Sequence, residues 1–167
     1  MDMLVTKYFY YEDDGIIPNN PELAVILYSG VFKEKTAQVE RLFNSHNWRN
    51  SWTNGVFDYH HYHSNVHEVL GVTRGTATLH LGGEQGNLVV VVAGDVLVLP
   101  AGTGHKKVSS SFDFQVVGAY SNGMDYNLRT GLASDRPKAL AEIERVPLPQ
   151  TDPVFGDHGP LTNTWKS

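Results

Sequence analysis

Four of the eight histidines in this chain, His60, His61, His63 and His67, fall within one stretch of eight residues, and Glu68 follows directly. Alternate side chains of an extended strand point the same way, so His61 and His63 share one face while His60 and Tyr62 take the other. Two imidazoles side by side can bind one metal ion. A carboxylate on the next strand, Glu68, extends that set, and His105, at the end of the loop Pro100-Ala101-Gly102-Thr103-Gly104, is a candidate fourth ligand. With no cysteine in the chain, any metal must be held through nitrogen and oxygen. Imidazole with carboxylate suits Fe, Mn, Ni, Zn or Cu and does not choose among them. The same parity puts Phe57 and Tyr59 beside His61, and Lys107 beside His105. Tyr59 and Lys107 are therefore candidate catalytic groups, able to polarise a substrate or move a proton. By the same rule His60 and His67 face away, toward a subunit contact or a supporting role, and His80 shares a face with Thr76 and Thr78.

The elements that must position these residues are read from texture. Residues 50–121 consist of short Val, Leu, Thr, Tyr and Phe runs divided by glycines. Strands are expected over Val56–His63, Val66–Thr73, Thr76–Leu81, Leu88–Val92, Val96–Leu99, His105–Ser109 and Phe114–Tyr120, with turns at Gly75, Gly82-Gly83, Gly94-Asp95 and Gly102. Many short, closely spaced strands predict a sandwich or barrel. Residues 1–49 open on Tyr8-Phe9-Tyr10-Tyr11. A stiff loop, Pro18-Asn19-Asn20-Pro21, follows, and then a strand over Leu23–Tyr28. From Lys33 to His46 there is no Gly or Pro, and Val39, Leu42, Phe43 and His46 fall on one helical face. Residues 122–167 carry a second helix over Pro137–Ile143, with Asp135 as its expected N-cap. A proline-rich strap follows, and its Val154, Phe155, Leu161 and Trp165 must be buried somewhere. Neither Leu88–Val92 nor Val96–Leu99 alternates cleanly, the pattern of strands covered on both faces, and a second copy of the chain is the expected cover.

Two spacings then carry a family resemblance. Gly55-(five residues)-His61-Tyr62-His63-(four)-Glu68-(six)-Gly75 resembles the first cupin motif with every fixed position filled. Gly94-(five)-Pro100-Ala101-Gly102-(two)-His105 resembles the second, with Ser109 standing where Asn is usual. The flanks, including Asp13–Pro21, His60–Leu70 and Asp152–Gly156, are similar to the YjlB-like single-domain bacterial cupins. The resemblance implies an all-β fold, a cupin-type antiparallel jelly-roll barrel with one N-terminal and one short C-terminal helix, as a single domain over 1–167. Within it, 50–121 is the motif-bearing core, flanked by 1–49 and 122–167. It further implies one divalent transition metal per chain inside the barrel, on His61, His63, Glu68 and His105.

The implied function is a small-molecule metalloenzyme of dioxygenase or isomerase type. Its alternatives are a non-catalytic, metal-dependent ligand-binding or sensing cupin, and metal-independent epimerase chemistry through a His–Tyr pair. The 167 residues suit one domain. The 18 acidic against 13 basic residues, without a clustered basic stripe, argue against a nucleic-acid partner. No apolar run approaches the ~18 residues of a membrane span, and Met1-Asp2-Met3-Leu4 does not open a leader. A cytoplasmic homodimer that binds a small-molecule ligand or substrate is the expectation.

Overall fold

The computed structural model describes residues 5–166; the reading of Met1–Leu4 lies outside them. Among the described residues nine strands form two antiparallel sheets. They are β1 (Val5–Phe9), β2 (Val25–Ser29), β3 (Trp48–Asn54), β4 (Glu68–Arg74), β5 (Thr76–Leu81), β6 (Asn87–Val92), β7 (Val96–Leu99), β8 (His105–Ser110) and β9 (Gln115–Ser121). The larger sheet runs β1-β2-β7-β4-β9-β3 and the smaller β6-β5-β8. Every pairing is antiparallel. The two sheets face each other as a jelly roll. Leu27, Leu70, Val72, Leu97, Leu99 and Val116 of the larger sheet meet Ala77, Leu79, Leu81, Val89 and Val91 of the smaller in one apolar core.

The larger sheet is buried on its other face as well, and by the chain itself. Ile26, Tyr28, Val69, Val96, Val98, Val117 and Ala119 point outward and pack under Phe32, Val39, Phe43, Trp48, Leu161 and Trp165. Helix α1 (Val39–Ser45) lies here, shorter than the expected 33–46. It comes close because β4 has a glycine beneath it: a Cβ on Gly71 would stand 2.5 Å from Val39 Cγ1 and 2.9 Å from Phe43 Cζ. The unbroken apolar run Val96–Leu99 is therefore covered internally rather than by a second copy. The run in β6 does alternate once it is folded. Val89 and Val91 enter the core, whereas Leu88, Val90 and Val92 stay exposed.

The strap is ordered against the outer layer, with α3 (Pro160–Thr164), a third helix the sequence reading lacks, holding Leu161 and leading to Trp165. Helix α2 (Arg136–Arg145) covers the expected 137–143. Asp135 precedes it but makes no side-chain cap; its carboxylate pairs with Arg129 at 3.2 Å instead. Two strand boundaries also differ. Val56–His63 is not a strand: residues 56–60 are irregular, and only His61 and Tyr62 make single bridges, to His105 and Arg129. β4 starts at Glu68 rather than Val66, because Ser64 and Asn65 form a bend tied to Asn127. Among the described residues no helix is long and apolar enough to cross a membrane.

Candidate metal centre

The four expected ligands come from three places. Glu68 opens β4 and His105 opens β8, one from each sheet. His61 is paired with His105 through both backbone hydrogen bonds of a narrow bridge, at 3.2 and 2.9 Å. His63 follows two residues on, with its carbonyl accepting from Gly102 N–H at 2.8 Å. All four side chains are buried, and parity acts through these local bridges although no strand continues there.

The histidine tautomers follow from their partners. His61 Nδ1 lies 2.9 Å from the Tyr59 carbonyl, His105 Nδ1 lies 3.1 Å from the Thr103 carbonyl, and His63 Nδ1 is bonded to the Asn127 carbonyl. A carbonyl oxygen only accepts, so each Nδ1 carries the proton. The Nε2 of each neutral ring is left with a free lone pair. His63 Nε2 stands 3.5 Å and His105 Nε2 3.3 Å from Glu68 Oε1, yet that oxygen is buried and has no hydrogen-bond partner. Ligand atoms of His63, Glu68 and His105 lie within 4.8 Å of one another. His61 is beside this trio and outside that limit, its ring centroid 4.0 Å from that of His105 and 6.1 Å from that of His63.

Burial opposes charge on Glu68, but the adjacent His63 and His105 outweigh it and hold the carboxyl well below its usual range. Burial, with His105 next to it, depresses His61 to about 3. His63 moves up, because Glu68 and the Asn127 carbonyl overcome its burial. His63, Glu68 and His105 together are a buried nitrogen and oxygen donor set that could hold a divalent transition metal.

These residues line one end of a cavity of about 530 Å³, which is also bounded by Trp52, Val56, Phe57, Leu70, Lys107, Tyr120, Tyr126 and Leu128. Lys107 enters it because β8 pairs Leu81 with His105 and Leu79 with Lys107, all on the inner face. Phe57 packs edge-on to His61 at 5.2 Å. Tyr59 stacks on Phe57 at 5.0 Å, 40% exposed, outside the cavity lining.

Trp52, Tyr120 and Tyr126 have no place in the sequence reading. Tyr120 was within reach of it: in register it sits opposite Glu68 and so shares its face. Trp52 lies across Gly118, where a Cβ would come within 2.3 Å of the indole, and its Nε1 donates to Tyr120 Oη at 2.9 Å. Tyr126 and Asn127 arrive on an irregular segment with no periodic signal. That segment is fixed by Asn127 Nδ2 and Arg129 Nε donating to Ser64 Oγ, and by Arg129 pairing with Glu142 of α2 at 2.7 Å.

His67 faces outward, as parity requires. Its Nδ1 accepts from Ala101 N–H at 2.9 Å, so it takes the opposite tautomer, and its ring meets Trp165 edge to face at 4.9 Å. It supports the motif loop from behind. His60 and His80 also stand outside the barrel, with their rings 4.9 Å apart.

No family model matches the chain. Among solved structures it is similar to the WlaRB TDP-quinovose 3,4-ketoisomerase of Campylobacter jejuni, at 16% identity and a TM-score of 0.40 over 47% of this chain and 68% of that one. It is also similar to the acireductone dioxygenase of Bacillus anthracis, at 18% identity and 0.38 over 57% and 61%. A third is a double-stranded β-helix protein of Klebsiella pneumoniae, at 12% and 0.38 over 77% and 84%. In sequence, the chain is 44% identical over 160 residues to the uncharacterized protein YjlB of Bacillus subtilis (strain 168), covering 96% of both chains. With that relative matched along nearly its whole length, and with a two-sheet jelly roll that brings His63 and Glu68 of one motif segment to His105 of the other, the chain belongs to the YjlB-like cupins.

Proposed function

We propose that the protein is a metal-dependent enzyme of dioxygenase or isomerase type, acting on a small anionic molecule with an apolar portion. The carrying observation is Glu68 Oε1, buried without a hydrogen bond while two Nε2 lone pairs point toward it. In this reading His61, His63, Glu68 and His105 hold one Fe, Mn, Ni, Zn or Cu ion per chain. Such an ion supplies Lewis acidity or redox capacity.

The chain's own residues account for the substrate class. Lys107 is a cation on the lining of a cavity whose apolar wall is Trp52, Val56, Phe57, Leu70 and Leu128, so it pairs with a substrate carboxylate or enolate while that wall takes the apolar part. Tyr120 Oη, receiving the Trp52 indole N–H, is fixed next to Glu68. Burial and the Glu68 charge raise its pKa, so it stays a neutral proton donor. Tyr59, stacked on Phe57 outside the cavity lining, is the second catalytic candidate of this reading, at the outer edge of that wall. The proposal includes a homodimer, supported by Leu88, Val90 and Val92 exposed together on β6, at the edge of the smaller sheet.

Elemental analysis of the purified protein, followed by conversion assays of a mixed organic-acid and sugar library with the loaded protein, tests the reading. We expect one ion per chain at the buried centre, loss of that ion in His61→Ala, and turnover of at least one acid. Loaded protein that binds library members without converting any would overturn the enzyme assignment. A monomeric mass by light scattering at micromolar concentration would overturn the dimer.

A further inference from the structure

Two groups of metal-ligating side chains occur among the described residues, and the second lies on the other side of the wall that carries the first. It consists of His60, His80 and Glu84, with ligand atoms all within 4.8 Å of one another. Three separate elements deliver them. His60 faces away from the barrel because its neighbour His61 faces in. His80 stands on the outward side of β5, opposite Leu88 of β6 and Lys106 of β8. Glu84 sits in the turn that joins β5 to β6.

His60 Nε2–H donates to Glu84 Oε1 at 2.6 Å, a bond that metal binding would replace, and the His60 and His80 rings meet edge to face at 4.9 Å. His60 Nδ1 is buried with no hydrogen-bond partner, so no other contact commits that ring. Glu84 is largely exposed, its side chain 70% accessible, which leaves the open side of the group free for water ligands. An ion pair between His60 and Glu84 would account for one imidazole only, whereas a late divalent metal ion uses both imidazoles and the carboxylate. Lys106 flanks the group, and its long stem lets the ammonium swing into solvent.

From this geometry we infer a second, peripheral divalent-metal site made of His60, His80 and Glu84, taking zinc, nickel or copper and open to solvent on one side. The bound ion has a structural consequence. Residues 56–60 are irregular and carry Phe57 on the wall of the inner cavity. An ion shared by His60 and the β5–β6 hairpin ties that segment to the smaller sheet from outside, so the occupancy of the outer site governs the mobility of the inner cavity's rim.

Zinc titration of metal-free protein at pH 7.5, by equilibrium dialysis with elemental analysis, tests the site in wild type, His80→Ala and Glu84→Gln, two variants on different elements, neither of which lines the inner cavity. The expected result is two equivalents in the wild type and one in each variant. A wild type that binds one equivalent and variants that bind none would leave the outer site standing and sink the inner one. Equal stoichiometry in wild type and both variants would overturn the outer site. Amide exchange reads the second part of the inference. Zinc should slow exchange across residues 56–60 several-fold more in the wild type than in His80→Ala, and equal slowing in both would refute the tie.

Discussion

Glu68 Oε1 and His105 Nε2 stand 3.3 Å apart, both buried, one from each sheet, and no hydrogen bond joins them. The separation fits two ligands of one ion, and the tautomer fixed by Thr103 leaves no proton on the facing nitrogen. Glu68→Gln keeps the shape and removes the charge. Metal affinity should then drop by more than about 100-fold, beyond the range seen when only an outer partner of a ligand is lost. Circular dichroism should still report the β fold, because the carboxamide fills the same volume. Stoichiometric metal in Glu68→Gln made in the His80→Ala background would refute a role for Glu68.

The pH dependence of metal binding follows from unequal histidines. In the metal-free protein Glu68 and the Asn127 carbonyl outweigh burial and raise His63 above its ordinary range, so protons compete with a metal ion for its Nε2. His61, held down at about 3, remains neutral and available throughout that range. Apparent affinity should therefore fall with decreasing pH, with protons released as the ion binds and none of them from His61. Calorimetry in buffers of different ionisation enthalpy measures the released proton directly. A slope near zero would contradict proton competition at His63.

His67 gives a separate pH signature, one of stability. Burial lowers it to about 3 from 6.5, while the unfolded chain titrates normally. The native state holds the neutral ring, so above pH 6.5 there is no effect. Below it the unfolded state binds the extra proton, and stability falls by about 1.4 kcal/mol per pH unit until the native ring itself protonates. In His67→Gln the amide oxygen can still accept from Ala101 N–H, and this share of the acid slope between pH 6 and 4 should vanish in denaturant titrations. An unchanged slope would mean that His67 is accessible to protons in the native state.

Much of this site was legible because strand parity and ligand spacing are local properties of the chain. His61 and His63 face the same way whether or not a full strand forms around them, and two bridge bonds to His105 suffice. What the sequence hid has physical reasons. β3, Trp48-Arg49-Asn50-Ser51-Trp52-Thr53-Asn54, reads as polar loop, yet it is an edge strand with one neighbour, where exposed polar residues are tolerated. Its register breaks between Arg49 and Trp52, with Asn50 at φ 58°, and that break erases the period-two signal. The segment 56–60 carries strand-like residues but leaves the sheet at Gly55. Tyr126 and Asn127 reach the site through side-chain bonds to Ser64 and Asn65, contacts that no pattern of hydrophobicity encodes.

The outer layer makes the last prediction, at Asp152. This carboxylate is fully buried and accepts four hydrogen bonds: Val154 N–H at 2.8 Å and Phe155 N–H at 3.1 Å on Oδ1, and Leu161 N–H at 3.1 Å with the Tyr28 hydroxyl on Oδ2. It thereby fixes the strap to β2 and seats Trp165, whose indole donates to the Ala24 carbonyl at 2.9 Å and whose ring backs His67. An amide placed there turns its NH₂ toward Val154 and Phe155 N–H, or toward Leu161 N–H and the Tyr28 hydroxyl, and of these four only the hydroxyl can accept in exchange. Asp152→Asn should cost about 3 kcal/mol, a sum of lost charge-assisted bonds and stranded donors. For a chain of this size that corresponds to a melting temperature lower by roughly 6–12 °C. The strap should loosen before the barrel does, because its anchor fails while the inner core is untouched. Limited proteolysis should then cut between residues 147 and 160 at temperatures where the wild type resists, with metal content unchanged. Cleavage that appears only together with global unfolding would show that strap and barrel melt as one unit.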